Sequence, residues 1–158
     1  MAKKTDERDK GIYRPVVGVT LVSLILCGVL FPLVVTGVAQ IAFPYQANGS
    51  LVQLGNRTIG SYSIDNGFTL PIFFQGRNES NPLNASASGV DPDITMADAL
   101  SQIPRISNAT GIPAAAITAI VTAHVERTII VVGDPYVNVL ALNIALITSY
   151  PKVYASYQ

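Results

Sequence analysis

Residues 16–43 read VVGVTLVSLILCGVLFPLVVTGVAQIAF, and this run decides the fold. Its only polar side chains belong to Thr20, Ser23, Thr36 and Gln40. About 20 apolar residues are enough for a helix to cross a bilayer. We therefore predict a single transmembrane helix over residues 15–43, followed by a separate domain over residues 44–158. Pro32 removes one backbone donor and is expected to bend the helix.

The charges on either side of this helix indicate its orientation. Five Lys or Arg residues lie among the first 14 residues, whereas only Arg57 occurs in the 14 residues after Phe43. Positively charged flanks stay in the cytoplasm. We predict a cytoplasmic segment over residues 1–14 and an extracytoplasmic domain in a cell membrane. The chain has ten basic and ten acidic residues, so its charge gives no basis for binding nucleic acid.

Five of the nine asparagines lie in Asn-X-Ser/Thr sequences, the acceptor pattern for N-glycosylation, which agrees with an outer location. These possible glycosylation sites are Asn48, Asn56, Asn78, Asn84 and Asn108. The alternative is that Asn, Ser and Thr are simply common in turns.

The apolar helix has one alternative identity and one candidate contact face. A cleaved signal peptide is the alternative, with Gly37-Val38-Ala39 as the cleavage sequence, but the apolar run exceeds the usual length. Thr20, Ser23, Cys27 and Gly28 form a run of small side chains that would let another transmembrane helix approach closely. Facing lipid is the alternative for these four residues.

The 115 residues after Phe43 are enough for one small α+β domain, with short strands first and three or four helices after them. Residues 50–54 and 57–64 predict a β-hairpin around Gly55-Asn56. A turn is expected at Asp65-Asn66-Gly67. The apolar run 68–74 fits either a buried strand or a short helical turn, and residues 75–89 are predicted as a loop.

Helices dominate the second half of the domain. Thr95 and Asp98 resemble a capping box and predict a helix to about residue 102, and Pro104 predicts a second short helix that ends at Gly111. A third helix is expected from Pro113. Its buried face is predicted from the spacing of Ile117, Ile120, Val121, His124 and Val125.

The end of the chain is predicted to complete the core. Residues 128–132 are β-branched and predict a strand, followed by a turn at residues 133–135. Residues 137–147 predict a buried core helix rather than a second membrane span, because Asn138 and Asn143 interrupt the apolar run. These two asparagines are five residues apart, so we expect them to cap or to bond backbone at different places.

The side chains offer little catalytic chemistry. The sequence contains no GxxxxGK[ST], GxGxxG, GxSxG or HExxH motif, and one histidine with one cysteine cannot build a Cys/His zinc site. We interpret His124 as a half-buried helix residue rather than a catalytic base. We predict no catalytic residues and no metal site.

Two other groups of charged residues have alternative roles. Asp91, Asp93 and Thr95 have the alternating spacing of a calcium loop but lack its glycine and its acidic twelfth residue, so turn and cap roles are favoured. Arg77 and Arg105 are isolated cations, available for an ion pair or for a partner's carboxylate. A simple surface position is the alternative for both.

Six blocks occur in order along the chain: FPLVVTGVAQIAFPYQANGSLV (31–52), GS (60–61), FFQGR (73–77), SASGVDPDIT (86–95), QIPRIS (102–107) and VNVLALNIAL (137–146). With these blocks the chain resembles the C chain of the Kdp-type potassium-transporting P-type ATPase over residues 14–146. Family members usually have a longer segment between the blocks that end at Arg77 and begin near Ser88. The chain therefore resembles a shortened variant of that family.

The resemblance implies a non-catalytic accessory subunit of an ATP-driven pump that imports potassium. It implies an ATPase subunit and a channel-like subunit as partners, besides membrane lipid. It also implies that ATP and potassium are handled by the complex, with no cofactor held by this chain itself. The family's C chain is regarded as a catalytic chaperone that raises the ATP affinity of the ATPase subunit.

Because ATP is cytoplasmic and the domain is predicted outside, we favour assembly or gating of the potassium entrance over direct ATP contact. The alternative function is a membrane-anchored binding module that is independent of a pump. An anchored hydrolase that uses His124 is the third possibility.

Residues in the matching blocks are carried over as candidates for partner contact or for structure. They are Gln46, Asn48, Gly49, Gly89, Asp91, Arg105, Asn138 and Asn143. For each of them, a role in a turn, a cap or the core is the alternative.

Overall fold

The computed structural model describes residues 3–55, 57–77, 85–126 and 133–157, with side chains from Tyr13 onward. The chain forms two compact units, Met1–Asn48 and Gly49–Gln158. The first unit is helical, and the second combines short strands with helices. The predicted class, one long apolar helix followed by a small α+β domain, is confirmed.

The first unit contains one long helical rod. Helix α1 spans Lys3–Ile25, a π-helical turn spans Leu26–Leu30, and α2 spans Phe31–Ala42. The short helix α3 (Pro44–Ala47) follows. The 30 residues Tyr13–Ala42 are long and apolar enough to cross a membrane, and none of the side chains in that window is buried. A core helix of a soluble domain would bury one face, so this exposure favours a lipid environment.

Pro32 lies in the first turn of α2, directly after the π-helical turn. The Phe31 N–H donates to the Leu26 carbonyl, five residues back, instead of the usual four. Proline has no N–H to donate, and a local π-helical turn is one way in which membrane helices accommodate such an interruption. The helix therefore continues past Pro32 with altered backbone hydrogen bonds.

The second unit opens with the predicted hairpin. Strands β1 (Leu51–Leu54) and β2 (Arg57–Ser61) pair antiparallel, with an irregularity between Val52 and Gln53. The second strand ends at Ser61 rather than at residue 64. It ends there because the Asn66 side chain accepts from the Ser61 N–H at 2.9 Å and donates to the Ser61 carbonyl at 2.9 Å. Side-chain bonds thus replace further strand pairing.

A second small sheet was not predicted. Strand β3 (Asp93–Thr95) pairs antiparallel with β4 (Tyr136–Asn138). Each strand has only three residues, too few to give a clear alternation of apolar and polar side chains. The strand predicted over residues 128–132 lies outside the described residues.

Helix α4 spans Met96–Thr110 as one continuous element, so the prediction of two helices separated near Pro104 was wrong. The Thr95 side chain accepts from the Asp98 N–H at 3.1 Å, as predicted, and Gly111 ends the helix with a φ of 74°. Pro104 removes only one helical hydrogen bond and is exposed. Ile103 and Ile106 are buried on either side of it and hold the helix in the core.

Helices α5 (Ala114–Ala123) and α6 (Val139–Ser149) complete the core. Ile117 and Val121 of α5 are fully buried, while His124 is the residue that ends the helix and is half-buried. Helix α6 is buried along most of its length, which confirms the predicted core helix. It begins at Val139, because the Asn138 side chain accepts from the Ala141 N–H and caps it.

The apolar run 68–74 is neither a strand nor a helix. The Phe73 N–H donates to the Leu70 carbonyl in a turn, and this turn buries Phe73 and Phe74. The Phe73 ring stacks on Tyr154 at 5.4 Å between ring centroids. The run is thus a core segment fixed by side-chain packing rather than by a regular backbone pattern.

Candidate functional site

The predicted contact face of the long helix is exposed. Thr20 donates its hydroxyl to the Val16 carbonyl at 2.9 Å, four residues back, which satisfies this polar group within the helix. Cys27 and Gly28 lie in the π-helical turn. Their positions around the axis therefore differ from those of an uninterrupted α-helix, and with Ser23 they stay candidates for helix contact.

Local hydrogen bonds organise the end of the first unit. The Asn48 amide donates to the Pro44 carbonyl at 2.7 Å and to the Gln40 side-chain oxygen at 3.1 Å. Gln46 is exposed, and Gly49 has a φ of 84°. Asn48 therefore has a structural role at the end of the helix. The sequence reasoning missed Gln40, because its contact with Asn48 crosses the break between α2 and α3 and depends on how the chain turns there.

The most polar part of the domain is the corner at the start of β3. An Arg77 guanidinium nitrogen lies 3.0 Å from an Asp91 carboxylate oxygen, and the Arg77 Nε donates to the Asp93 carbonyl at 2.9 Å. The other Asp91 oxygen accepts from the Asp93 N–H at 3.0 Å. Arg77 and Asp91 thus form the ion pair that the sequence left open, while Gly89, with a φ of 68°, lies just before this corner.

Asn138 connects this corner to α6. Its amide nitrogen donates to an Asp93 carboxylate oxygen at 2.9 Å and to the Tyr62 carbonyl at 3.1 Å. Burial raises the pKa of the Asp93 carboxyl above its ordinary value, although the Asn138 hydrogen bond opposes this effect. A partly buried carboxylate is therefore held at the centre of the corner.

These carboxylates hold loops rather than face a common ion. Asp91 is committed to Arg77 and to the backbone, and Thr95 caps α4. Among the described residues, no group of three or more His, Cys, Asp or Glu side chains is placed to hold a metal. The geometry fits the turn and cap roles favoured from the sequence.

Arg105 of α4 binds the neighbouring turn at residues 70–73. Its guanidinium donates to the carbonyls of Pro71 at 2.7 Å and Phe73 at 3.1 Å, and to the Gln102 side-chain oxygen at 2.7 Å. Burial lowers the pKa of this guanidinium. These contacts fit the structural role that was the alternative for Arg105, and contact with a partner stays a prediction.

Gln102 is a structural residue that the sequence reasoning missed. Its side-chain oxygen accepts from the Gln75 N–H at 2.8 Å, and its nitrogen donates to the Gln75 carbonyl at 3.0 Å. Glutamine on a helix surface carries no sequence signal for such a role. Together, Gln102 and Arg105 attach the segment 70–75 to α4.

Asn143 makes an equivalent attachment from α6. Its side chain is fully buried and makes two hydrogen bonds with the backbone of Phe74, at 2.8 and 2.9 Å.

His124 lies at the end of α5, where its Nδ1 is 2.8 Å from the Ile120 carbonyl oxygen. The described contacts of Asn143 and His124 are thus with backbone.

A cavity of about 780 Å³ lies between the hairpin, the 67–73 segment and α6. Phe73, Leu140 and Ile147 form its apolar floor, and the exposed Arg57 and Thr69 lie at its rim. It is larger than the cavity of about 380 Å³ that Arg77, Asp91 and Asp93 line.

The possible glycosylation sites divide into two groups. Asn108 is exposed on α4, and the Asn48 side chain is held by Gln40 and Pro44. Asn56, Asn78 and Asn84 lie outside the described residues. Modification of all five stays a prediction.

Across the described residues, the fold and these contacts define a protein with one candidate membrane span and a small α+β domain whose polar residues fix its loops. Residues 13–86 and 78–148 match the family described as "KdpC: K+-transporting ATPase, c chain". The chain belongs to this family.

Three curated relatives agree, each carrying the name potassium-transporting ATPase KdpC subunit. The protein of Caulobacter vibrioides (strain NA1000 / CB15N) is 35% identical, with 82% of this chain and 89% of the relative covered. The protein of Gemmatimonas aurantiaca is 33% identical, with coverage of 84% and 90%. The protein of Geobacter sulfurreducens is 33% identical, with coverage of 87% and 98%.

The lengths of these alignments support the description of the chain as a shortened variant. The alignment with the Caulobacter protein runs over 175 positions, more than the 158 residues of this chain. The relative therefore has residues that this chain lacks. The family match also falls into two parts that overlap at residues 78–86, within the segment where the sequence blocks lie close together.

Proposed function

We propose that the chain is a non-catalytic accessory subunit of an ATP-driven potassium import pump. The observation that carries this proposal is the family match over residues 13–148, which includes both the candidate span and the domain. The partners are an ATPase subunit and a potassium-channel-like subunit of the same pump, in contact with membrane lipid. ATP and potassium are handled by those partners.

In this proposal, the N-terminus lies in the cytoplasm and the domain lies outside. The asymmetry of Lys and Arg around the span supports this orientation. ATP is then on the other side of the membrane from the domain. An effect on the ATP affinity of the ATPase subunit, the chaperone role, is therefore indirect and passes through the assembled complex.

The contacts of the polar residues support a role without catalysis. Asp91, Arg105 and Asn143 each bind a backbone segment or a neighbouring side chain of the same domain. A catalytic group needs an open position toward a substrate. These residues instead give the domain a fixed surface, which suits assembly or gating of the potassium entrance.

The test is recovery of the complex. The full chain carries a C-terminal tag, native membranes are solubilised in a mild detergent, and the captured chains are identified. We expect a P-type ATPase chain and a polytopic channel-like chain, with potassium-stimulated ATP hydrolysis in the eluate. Capture of the chain alone from cells that express both partners overturns the proposal. A tagged, unrelated single-span protein is the control for detergent carry-over.

The chaperone role has its own test. The pump is prepared with and without this chain, and the rate of ATP hydrolysis is measured against ATP concentration. A higher KM for ATP without the chain, at unchanged kcat, supports an effect on ATP affinity. Equal KM values restrict the function to assembly or gating.

The cavity beside α6 favours a second candidate, a membrane-anchored binding module. Its apolar floor and its cationic rim at Arg57 suit a small anionic amphipathic ligand. The isolated full chain in lipid nanodiscs is titrated with an anionic naphthalene sulfonate dye. Saturable binding that is lost in Ile144→Arg and kept in the control Thr148→Arg, on the exposed side of α6, supports this candidate. Equal dye binding by both variants removes it.

A further inference from the structure

The π-helical turn and Pro32 together remove the usual backbone donors of the Cys27 carbonyl. In an α-helix the Cys27 carbonyl would accept from the N–H of Phe31, but the Phe31 N–H donates to Leu26. In a π-helix the carbonyl would accept from residue 32, which is proline and has no N–H. The α-helical and the π-helical donors to the Cys27 carbonyl are therefore both lost.

Neighbouring side chains do not replace these donors. Phe31 and Pro32, which follow one turn later, have no side-chain N–H or O–H. Cys27 lies near the middle of the candidate span Tyr13–Ala42, where water is not available to bind a carbonyl. An unpaired backbone carbonyl is unfavourable in hydrocarbon, so a donor from outside the helix is required.

The helix surface beside this carbonyl is open. Gly28 has no side chain, and a Cβ built at this position meets no atom within 4 Å. A neighbouring helix can therefore approach the backbone closely here. The surface neighbours of Gly28 one turn away, Leu24 and Phe31, are large, apolar and exposed.

We propose that the Cys27 carbonyl is the docking point for a hydrogen-bond donor on a transmembrane helix of a partner chain, a Ser or Thr hydroxyl or an Asn or Gln amide, which approaches across Gly28. This inference rests on the proposed function, because it requires a partner in the membrane. The inference adds two points to the proposed function: the position in the span where the partner helix binds, and the type of partner side chain that binds there.

Three glycines of the span provide matched variants for the test. Gly18, Gly28 and Gly37 all have open space around them, but only Gly28 lies in the π-helical turn. In the tagged full chain we expect Gly28→Leu to reduce recovery of the partner chains about three- to tenfold, the size of one hydrogen bond between membrane helices. Gly18→Leu and Gly37→Leu are the controls and should keep wild-type recovery.

Pro32→Ala tests the carbonyl itself. Alanine supplies an N–H and allows the helix to pair its own carbonyls, so the need for an outside donor disappears. We expect recovery to fall about three- to tenfold, as for Gly28→Leu, although the side chain becomes smaller and blocks nothing. Unchanged recovery in Pro32→Ala and Gly28→Leu overturns the docking point.

The single cysteine gives a direct spectroscopic readout. Feeding cysteine labelled with ¹³C at the carbonyl labels only Cys27 in this chain, and unlabelled partners are then added. We expect the ¹³C carbonyl resonance to move downfield when the complex forms. If the complex forms and the resonance does not move, the docking point is wrong while the proposed function stands. A shift in the isolated chain that grows with its concentration indicates a second copy as the partner and overturns the proposal.

Discussion

The side chain of Asn143, in helix α6, pairs with both backbone groups of Phe74. Its oxygen accepts from the Phe74 N–H at 2.8 Å, and its nitrogen donates to the Phe74 carbonyl at 2.9 Å. Asn143 and Phe74 are both fully buried. This pair attaches an irregular segment to the core without a strand partner, because one amide supplies the donor and the acceptor that a neighbouring strand would supply.

Asn143→Leu should strongly destabilise the domain. Leucine keeps a similar volume but leaves the N–H and the carbonyl of Phe74 unpaired, at about 1–3 kcal/mol for each group. Asn143→Asp should also destabilise the domain at neutral pH, because it buries an ionised carboxylate with one oxygen facing the Phe74 carbonyl. Denaturation of the full chain in detergent, followed by tyrosine fluorescence, measures the free energy of unfolding. Equal stability of Asn143→Leu and wild type would contradict this role.

Arg105→Lys should loosen the turn at residues 70–73. The guanidinium reaches two backbone carbonyls and the Gln102 oxygen at once, and a lysine ammonium cannot span these positions. We expect a loss of about 1–3 kcal/mol. Amide exchange near Phe73 should also become faster. Arg77→Lys keeps a single ion pair and should cost less, so it is the control. Unchanged exchange near Phe73 in Arg105→Lys would show that the turn holds without the guanidinium.

Tyr154→Phe should remove the last tyrosine to ionise. The Tyr154 hydroxyl donates to the Ile72 carbonyl at 2.9 Å, and burial raises the pKa of this phenol to about 12. Folding therefore favours the neutral form of the Tyr154 side chain. The stability that it contributes is therefore complete below pH 10, its ordinary pKa, and is lost as pH rises through about 12.

Alkaline titration of the seven tyrosines by absorbance measures this effect. We expect the phase near pH 12 to be absent in Tyr154→Phe. At neutral pH the variant should also be about 1–3 kcal/mol less stable, because the Ile72 carbonyl loses its donor. A retained late phase would assign it to another tyrosine.

Asp93→Asn should become more stable relative to wild type as pH rises. Burial raises the pKa of Asp93 above its ordinary value of 3.8, so folding favours the protonated carboxyl. The stabilising contribution is complete below pH 3.8 and is lost as pH rises through the folded-state pKa. Asparagine stays neutral and can still accept from Asn138. The measurement is Tm of both chains between pH 3 and 7, and a constant difference would contradict the prediction.

Much of the architecture could be predicted because its signals are local. The apolar run before Phe43, the hairpin and the Thr95 cap are each encoded within a few residues. The uninterrupted α4 could not be predicted, because burial of Ile103 and Ile106 outweighs the local effect of Pro104. Tertiary packing overrides propensity in such a case.

The candidate site was predicted less completely than the fold. Asp91, Asn138 and Asn143 were selected from the sequence blocks, and each proved to have specific contacts within the domain. Gln40 and Gln102 were missed, since a glutamine that binds a distant segment looks like any surface glutamine. Arg105 was identified, but its role was not, because its acceptors are backbone carbonyls more than thirty residues away.

The sequence by itself determined the long apolar helix, the α+β class of the domain, the Thr95 cap and the family. Each of these depends on residue type and spacing along the chain, and these are explicit in the sequence. Only the tertiary structure decided that Asn143 and Arg105 hold the 70–75 segment and that Arg77 pairs with Asp91. Backbone groups are alike in every residue, so which of them is left for a side chain or a partner to bind depends on where folding places them.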